Sequence, residues 1–215
     1  MEKPRSDIEA SYDRVAEQFV EEFFGELKRK PFDRELLDQF AESVRDGGRV
    51  CEIGCGPAQI ARYLRDRGVD MCGIDLSQEM VKQARLLNPD ITFERGDMLA
   101  LDLPDAELAG IVCFYAIIHL KREDVTRALG EMRRVLKPGG HLLVSFHGGR
   151  GELHRAEWYG RSVSIDVTLF EKGEMSDYLT SAGFELERVA ERAPYEFEYP
   201  TPRLYAFGRK PARSE

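Results

Sequence analysis

Residues 50 to 146 contain five short runs with a β-strand pattern, and helical patterns occupy most of the links between them. The runs are Val50–Ile53, Met71–Leu76, Ile91–Glu94, Gly110–Tyr115 and His141–Phe146. Helices are predicted at about residues 57–67, after the N-cap residue Ser77, and at about residues 123–136. Strands that alternate with helices predict an open, mostly parallel sheet with helices on both faces.

The regions on either side of this alternation have different patterns. Residues 6–30 carry Tyr12, Phe19 and Phe23 at helical spacing, and a second helix is predicted at 34–44. After residue 146 we expect an irregular segment over 148–168, then a helix over 171–182. Two late strands, 185–191 and 204–208, are linked too closely for a helical crossover, so they predict an antiparallel hairpin at the sheet edge. We therefore divide the chain into an N-terminal helical cover, 1–46, and a main domain, 47–215, with an insertion at 148–170.

Charge and composition narrow the possible partners. The chain of 215 residues has 31 Lys and Arg against 39 Asp and Glu, a net charge of -8, which opposes binding to nucleic acid. No segment reaches the roughly 20 apolar residues that span a membrane, and the N-terminus has no apolar signal core, so we expect a cytoplasmic protein without a membrane partner. The four cysteines have no Cys-x-x-Cys spacing, and we expect them to be buried and free, without a metal site.

A glycine turn follows the first strand and predicts a nucleotide site. Gly54 and Gly56 stand where the chain passes from strand to helix, and Asp75 ends the second strand, 21 residues after Gly54. A carboxylate at that place can accept both ribose hydroxyls of a nucleoside, which leaves a dinucleotide or S-adenosylmethionine as the ligand. Gln59 stands where a dinucleotide fingerprint has its third glycine. Glu52 is unhelpful beside a pyrophosphate but suits an ammonium and a sulfonium.

These stretches resemble the class I S-adenosylmethionine-dependent methyltransferases, closest to their small-molecule branch. The matching stretches are Glu52-x-Gly54-x-Gly56, Gly73-Ile74-Asp75-Leu76-Ser77-x-x-Met80, Gly96-Asp97-Met98, Phe114 to Leu120 and Val135 to Gly140. The resemblance implies a Rossmann-like three-layer α/β sandwich whose seven-stranded, mostly parallel sheet has its last strand antiparallel. It also implies a cofactor site made of Tyr12, Glu52, Gly54, Gly56, Asp75, Leu76, Met80, Asp97, Met98 and Phe114, with S-adenosylhomocysteine as the product.

The methyl acceptor is expected to be a small molecule lying between the N-terminal helices and the 148–170 insertion. His119 and His147 follow predicted strands and are the candidate catalytic bases, since an unperturbed histidine titrates near neutrality. Arg161 and Arg203 are candidates to pair with an anionic acceptor, although surface roles are favoured for both. We expect a monomer or a homodimer. A non-catalytic protein that binds S-adenosylmethionine or S-adenosylhomocysteine stays open as an alternative, as does, less favoured, an NAD-dependent oxidoreductase.

Overall fold

The structure, a computed structural model, describes residues 6–212 and the side chains from residue 8 onward. Its helices and strands are, in chain order, α1 Ser6–Phe23, α2 Pro31–Ser43, β1 Val50–Ile53, α3 Gln59–Arg65, β2 Met71–Asp75, α4 Gln78–Leu87, β3 Thr92–Arg95, β4 Leu108–Phe114, α5 Arg122–Val135, β5 Leu136–His147, β6 Glu152–Trp158, β7 Arg161–Thr168, α6 Lys172–Ser181, β8 Glu185–Arg192 and β9 Arg203–Arg209. Short 3-10 helices span Glu26–Arg29 and Ile117–His119.

Seven of these strands form one sheet in the order β3-β2-β1-β4-β5-β9-β8. The first five strands pair in parallel, and β9 is antiparallel to both β5 and β8. The predicted fold class, including the antiparallel hairpin at the edge, is confirmed. The strand order reverses between β1 and β4, and open α/β sheets bind ligands beyond the carboxyl ends of the strands at such a point.

The sheet is buried between two layers of helices. On one face α5 and α6 pack on the strands through Leu129, Met132 and Met175, each fully buried. On the other face α2, α3 and α4 contribute buried side chains such as Phe40 and Leu64. Each such apolar side chain contributes about 1.5–3 kcal/mol when removed from water, so the strand ends are held by a rigid support.

Local signals explain several element boundaries. The Ser77 hydroxyl accepts a hydrogen bond from the Met80 amide at 3.1 Å, which confirms the predicted N-cap of α4. Among residues 6–212 the four cysteines are free and buried, as expected. The helix predicted over 6–30 is interrupted, since α1 ends at Phe23 and a 3-10 turn follows Gly25.

Two predictions about loops are wrong. Residues 148–168 were expected to be irregular, but β6 and β7 pair as a separate antiparallel hairpin. Apolar side chains of β7 pack against α1, where Val163 and Ile165 meet Val15. The fifth strand was expected to begin at His141, but β5 begins at Leu136, directly after α5, and includes Pro138, Gly139 and Gly140.

Within residues 6–212, no helix combines the length and the apolar character that crossing a bilayer requires.

Candidate functional site

A cavity of about 760 Å³ lies at the carboxyl ends of the central strands, roofed by α1 and the β6–β7 hairpin. This volume falls within the range of about 300–1,000 Å³ that is common for small-molecule sites. All ten residues expected to bind the cofactor line the cavity, and so do both candidate bases. Residues far apart in sequence are thus brought together, although their contacts with a ligand stay predictions.

The glycine turn after β1 directs its backbone toward β2. The Gly56 amide donates a hydrogen bond of 2.7 Å to Oδ2 of Asp75, and Gly56 has a left-handed φ of 50°. A Cβ on Gly56 would meet only the Phe19 ring, at 3.8 Å, within the cavity. A Cβ on Gly54 would instead lie 2.2 Å from the Cβ of Ala116. Gly54 is therefore required by packing inside the protein.

Two carboxylates occupy the floor of the cavity. Asp75 accepts from the amides of Gly56 and Ser77, and Glu52 accepts from the Ala61 amide at 2.7 Å. Burial raises the pKa of Asp75 to about 6, and burial also raises the pKa of Glu52 well above its ordinary value. A carboxylate has about four lone-pair sites, so each group can accept further hydrogen bonds from a ligand. A cation beside them would favour their ionised forms.

The wall next to the glycine turn carries a buried acceptor. Gln59 donates through Nε2 to Glu26, at 3.5 Å, which turns its amide oxygen away from that partner. This Oε1 atom is buried and has no hydrogen-bond partner among the described residues. Gln59 lines the cavity, so a donor on a bound ligand would satisfy it.

The adjoining part of the cavity is lined by Leu76, Met80, Asp97, Met98 and Phe114. Met80 is 1% exposed, so it is a core residue and a cavity residue at once. Asp97 accepts the Leu99 amide at 2.8 Å, which fixes its carboxylate at the end of β3. The combination of apolar side chains and one carboxylate suits a flat, partly polar ring.

His119 is hydrogen-bonded on both ring nitrogens. Its Nδ1 lies 3.0 Å from the Asp166 carbonyl, which only accepts, so Nδ1 carries the proton. The Tyr12 hydroxyl therefore donates to Nε2, at 2.7 Å. Burial lowers the pKa of His119, so the ring is neutral near pH 7. The lone pair that a general base needs is occupied by Tyr12, so His119 positions the Tyr12 hydroxyl in the described arrangement.

His147 is a neutral ring at the cavity wall. Its Nδ1 lies 2.7 Å from the Thr201 hydroxyl, which also accepts from Arg203 at 2.7 Å. The hydroxyl has one proton and two lone pairs, so it either donates to Nδ1, which places the ring proton on Nε2, or accepts from Nδ1, which leaves Nε2 as an acceptor. Burial and the nearby Arg203 lower the pKa of His147 to about 3, so the ring is neutral. This low pKa argues against a general base.

Sequence reasoning missed most of a group of charged side chains beside the cavity, which reaches the wall next to the glycine turn through Glu26, the acceptor for Gln59. This charged cluster consists of Glu26, Arg29, Lys30, Asp33, Arg192, Glu198 and Arg203. Lys30 contacts Glu26 at 2.7 Å and Glu198 at 3.0 Å, and Arg192 contacts Asp33 at 2.9 Å and Glu198 at 2.6 Å. Burial alone would raise the pKa of Glu198, but Arg192 and Lys30 lower it to about 2.

Arg203 and Arg161 have different outcomes against our expectation of surface roles. Arg203 is 4% exposed and lines the cavity, so the surface prediction is wrong for it. Arg161 is exposed and does not line this cavity, as expected. Arginine side chains are mostly solvent-exposed, which is why a surface role was expected. Glu198 and Thr201 are sequence neighbours of Arg203, but only the fold brings Lys30 to Glu198 and His147 to Thr201.

Tyr115 is the residue around which the charged cluster meets the cavity. It has a left-handed φ of 54°, a strained conformation for a non-glycine residue. Its hydroxyl lies 2.9 Å from the Tyr205 hydroxyl, which in turn donates to Asp33 at 2.7 Å. The strain is thus held by a buried hydrogen-bond chain.

Comparisons with known proteins agree with this geometry. Residues 50–140 match the sequence profile of a family described as "Methyltransferase domain". The chain is 30% identical over 151 residues to a malonyl-[acyl-carrier protein] O-methyltransferase of Pseudescherichia vulneris, which covers 69% of this chain and 57% of that protein. It is 27% identical over 147 residues to a demethylmenaquinone methyltransferase of Renibacterium salmoninarum, covering 67% and 60%.

The family match and these relatives support a class I S-adenosylmethionine-dependent methyltransferase. An S-adenosylmethionine-dependent methyltransferase from Methanosarcina mazei has the same fold, with a TM-score of 0.70, 17% identity, and coverage of 77% of this chain and 93% of that one. This chain spans about 40–60% of the length of the curated relatives it matches. The similarity implies S-adenosylmethionine as cofactor and S-adenosylhomocysteine as product.

The residues present fit this cofactor. The unpaired Oε1 of Gln59 and the buried carboxylate of Glu52 lie beside the glycine turn. Both can accept hydrogen bonds from the ammonium group of the cofactor. The Asp75 carboxylate keeps lone pairs for two hydroxyls. Within residues 8–212 no group of three or more His, Cys, Asp or Glu side chains is arranged to hold a metal ion.

Proposed function

We propose that the protein transfers a methyl group from S-adenosylmethionine to an O, N or C nucleophile of a small molecule. The observation that carries this proposal is the single continuous cavity in which an acidic floor adjoins a chamber of different character. Among the described residues that line it, the charged side chains of β1, β2 and the β3 end are all acidic, namely Glu52, Asp75 and Asp97. The other elements contribute both signs of charge, with Arg29, Lys30, Arg155 and Arg203 beside Glu9, Glu22, Glu26 and Glu198.

The residues on the floor of the cavity bind the cofactor and fix its orientation. In this proposal Glu52 and Gln59 accept from the ammonium of the amino acid part, Asp75 accepts from the ribose hydroxyls, and Asp97 accepts from the adenine amine. Leu76, Met80 and Met98 pack on the ring, while Tyr12 and Phe114 border the sulfonium. Acidic groups held in place before binding favour a cationic ligand without reorganisation.

When bound, the cofactor supplies a methyl group on a positively charged sulfur, and the S–C electron pair stays on sulfur as the acceptor forms its new bond. The chain's contribution is then alignment and exclusion of water, and alignment supplies about 7–11 kcal/mol in favourable cases. Aromatic side chains of α1 and the hairpin close the chamber: Phe19 and Trp158 have ring centroids 5.5 Å apart, and Phe19 and Phe23 are 4.4 Å apart. We propose that residues 1–46 and 148–170 act together as this cover.

Neither histidine is assigned as the base in this proposal. His119 holds the Tyr12 hydroxyl, and His147, when Thr201 donates to its Nδ1, offers its Nε2–H to the acceptor. A nucleophile that is already ionised needs no base, and this is the situation that the two neutral histidines favour.

Calorimetric titration with S-adenosylmethionine, S-adenosylhomocysteine and NAD tests the proposal. We expect the first two ligands to bind with similar dissociation constants and NAD not to bind. Binding of NAD alone would defeat the proposal. Binding of S-adenosylhomocysteine without methyl transfer to any member of a small-molecule panel would instead favour a non-catalytic binding protein.

A further inference from the structure

The part of the cavity lined by Lys30, His147 and Arg203 holds unused hydrogen-bond donors. Lys30 has three N–H groups and contacts two carboxylates, which leaves one N–H without an acceptor among residues 6–212. Arg203 donates through Nη1 to the Thr201 hydroxyl and through Nη2 to the Tyr199 carbonyl, at 3.1 Å, which leaves the second Nη2–H unused. Both side chains are more than nine-tenths buried, at 6% and 4% exposure.

These donors surround one aromatic ring. The Lys30 Nζ lies 5.8 Å and the Arg203 Cζ lies 5.9 Å from the centroid of the Tyr115 ring. The His147 ring centroid is 5.2 Å from the same point, and its Nε2 has no hydrogen-bond partner among the described residues, so it is a donor to a ligand when Thr201 donates to Nδ1. All four residues line the cavity. Buried donors without acceptors are costly, so their arrangement points to a ligand that accepts hydrogen bonds.

The charge of the cluster sets the charge of that ligand. The charged cluster has four cations and three carboxylates; Lys30, Arg192 and Arg203 equal the carboxylates in number, so the one surplus positive charge is that of the exposed Arg29. Arg29 makes no ion pair among the described residues and lies over the Phe197 ring at 4.0 Å. A monoanion would balance the surplus. A dianion such as a phosphate monoester would add a second negative charge beside Glu26 and Glu198, which already share Lys30.

The rest of the chamber is apolar. Tyr12, Phe19, Phe23 and Trp158 form a continuous aromatic wall, with neighbouring ring centroids 4.4–6.1 Å apart. Ile165 and Val167 of the hairpin also line the cavity. This wall suits a flat or branched hydrocarbon body.

We propose that the methyl acceptor is a monocarboxylic acid whose carboxylate is bound by Lys30, His147 and Arg203 and whose apolar body lies against the aromatic wall. This inference rests on the proposed function, because it names the acceptor class of the same site. A planar carboxylate offers about four lone-pair sites, enough for the three donors.

The test compares acids with their neutral isosteres on the unaltered protein. Calorimetry measures binding of cinnamate and cinnamamide, and of indole-3-acetate and indole-3-acetamide, each with and without saturating S-adenosylhomocysteine. We expect each acid to bind at least tenfold more tightly than its amide, which corresponds to about 1.4 kcal/mol. Equal affinities, tighter binding of the amides, or no binding of either acid would overturn the inference.

Two variants of the cluster test whether Lys30 and Arg203 cause the preference for acids over amides. Lys30→Met and Arg203→Met should each reduce the acid-to-amide ratio of affinities to within threefold of unity. Because both ligands are measured on the same protein sample, this ratio does not depend on the fraction of protein that is folded. Arg161→Met, an exposed arginine outside the cavity, is the matched control and should keep the full ratio. A ratio that survives in both cluster variants would contradict the assignment. Failure to bind S-adenosylhomocysteine while the acids bind would overturn the proposed function and leave the anion site standing.

Discussion

Replacing Asp75 by alanine tests the floor of the cavity. In the proposed complex Asp75 accepts two ribose hydroxyls, and hydrogen bonds to charged groups contribute about 1.5–3 kcal/mol each. Water replaces part of this loss, so we expect a net loss of about 2–3 kcal/mol, or roughly 30- to 150-fold in the dissociation constant of S-adenosylhomocysteine.

The pH dependence of binding gives a second measure of the same contact. The pKa of Asp75 in the free protein is about 6, so the carboxylate is about nine-tenths ionised at pH 7 and about one-tenth ionised at pH 5. Since hydroxyl donors favour the ionised form, lowering the pH from 7 to 5 should weaken binding to the wild-type protein about tenfold more than binding to Asp75→Ala. Glu52 is present in both proteins, and because the Asp75 charge helps to raise the pKa of Glu52, the comparison measures the effect of the two carboxylates together.

Calorimetry at pH 5, 6 and 7 measures both effects. Asp90→Ala is the control, because Asp90 is an exposed carboxylate that pairs with Arg62 at 2.6 Å and does not line the cavity. We expect its dissociation constant to stay within threefold of the wild-type value. An Asp75→Ala protein that is folded by circular dichroism and binds as tightly as wild type, with the same pH profile, would refute the reasoning.

Three further predictions concern the fold around the site. Gly54→Ala should unfold at lower urea concentration than Gly56→Ala, because its Cβ would lie 2.2 Å from that of Ala116 whereas the nearest atom at Gly56 is 3.8 Å away; equal midpoints would contradict the packing argument. His147 has a folded pKa of about 3, below the unfolded value of about 6.5, so the unfolded state binds more protons and stability is lost as the pH falls below 6.5. Relative to His147→Gln, the free energy of unfolding of the wild type should therefore fall by about 1.4 kcal/mol per pH unit between pH 6 and 4, and parallel pH curves would be the contrary result. Arg192→Met leaves Asp33 and Glu198 without a shared partner and should cost about 3–5 kcal/mol in chemical denaturation, whereas Arg45→Met, which breaks an exposed pair with Glu42, should cost less than about 1 kcal/mol.

The strands that build the floor were predictable because their signals are local. The β1 boundaries match the prediction, Val50–Ile53, and Ser77 caps the helix after β2. Asp75 follows from its place at the end of a buried strand. Short apolar runs with glycine turns leave few alternatives, since the pattern, the turn and the cap agree.

Residues 148–168, which form the hairpin that roofs the cavity, were predicted less well because their sequence contains both loop signals and strand signals. Gly148, Gly149 and Gly151 suggested an irregular segment, and β6 is polar and largely exposed. The alternation of Val163, Ile165 and Val167 is a strand signal that was available and was not used. Tyr159 and Gly160, both with left-handed φ, make the turn between β6 and β7.

The charged cluster could not be found from local sequence. Asp33 and Tyr205 are 172 residues apart, and Arg192 and Asp33 are 159 apart. Each charged side chain, taken alone, has the pattern of a solvated surface residue. Only the antiparallel placement of β9 beside β5 brings Arg203 against His147, with which it pairs in register.

A crystal structure of the protein with S-adenosylhomocysteine tests the central claim most directly. The account predicts the ribose within hydrogen-bond distance of Asp75, the amino acid part beside Glu52 and Gln59, and the sulfur facing the chamber bounded by Tyr115, His147 and Trp158. A ligand seated away from the carboxyl ends of β1 and β2, or one that fills the chamber itself, would contradict it.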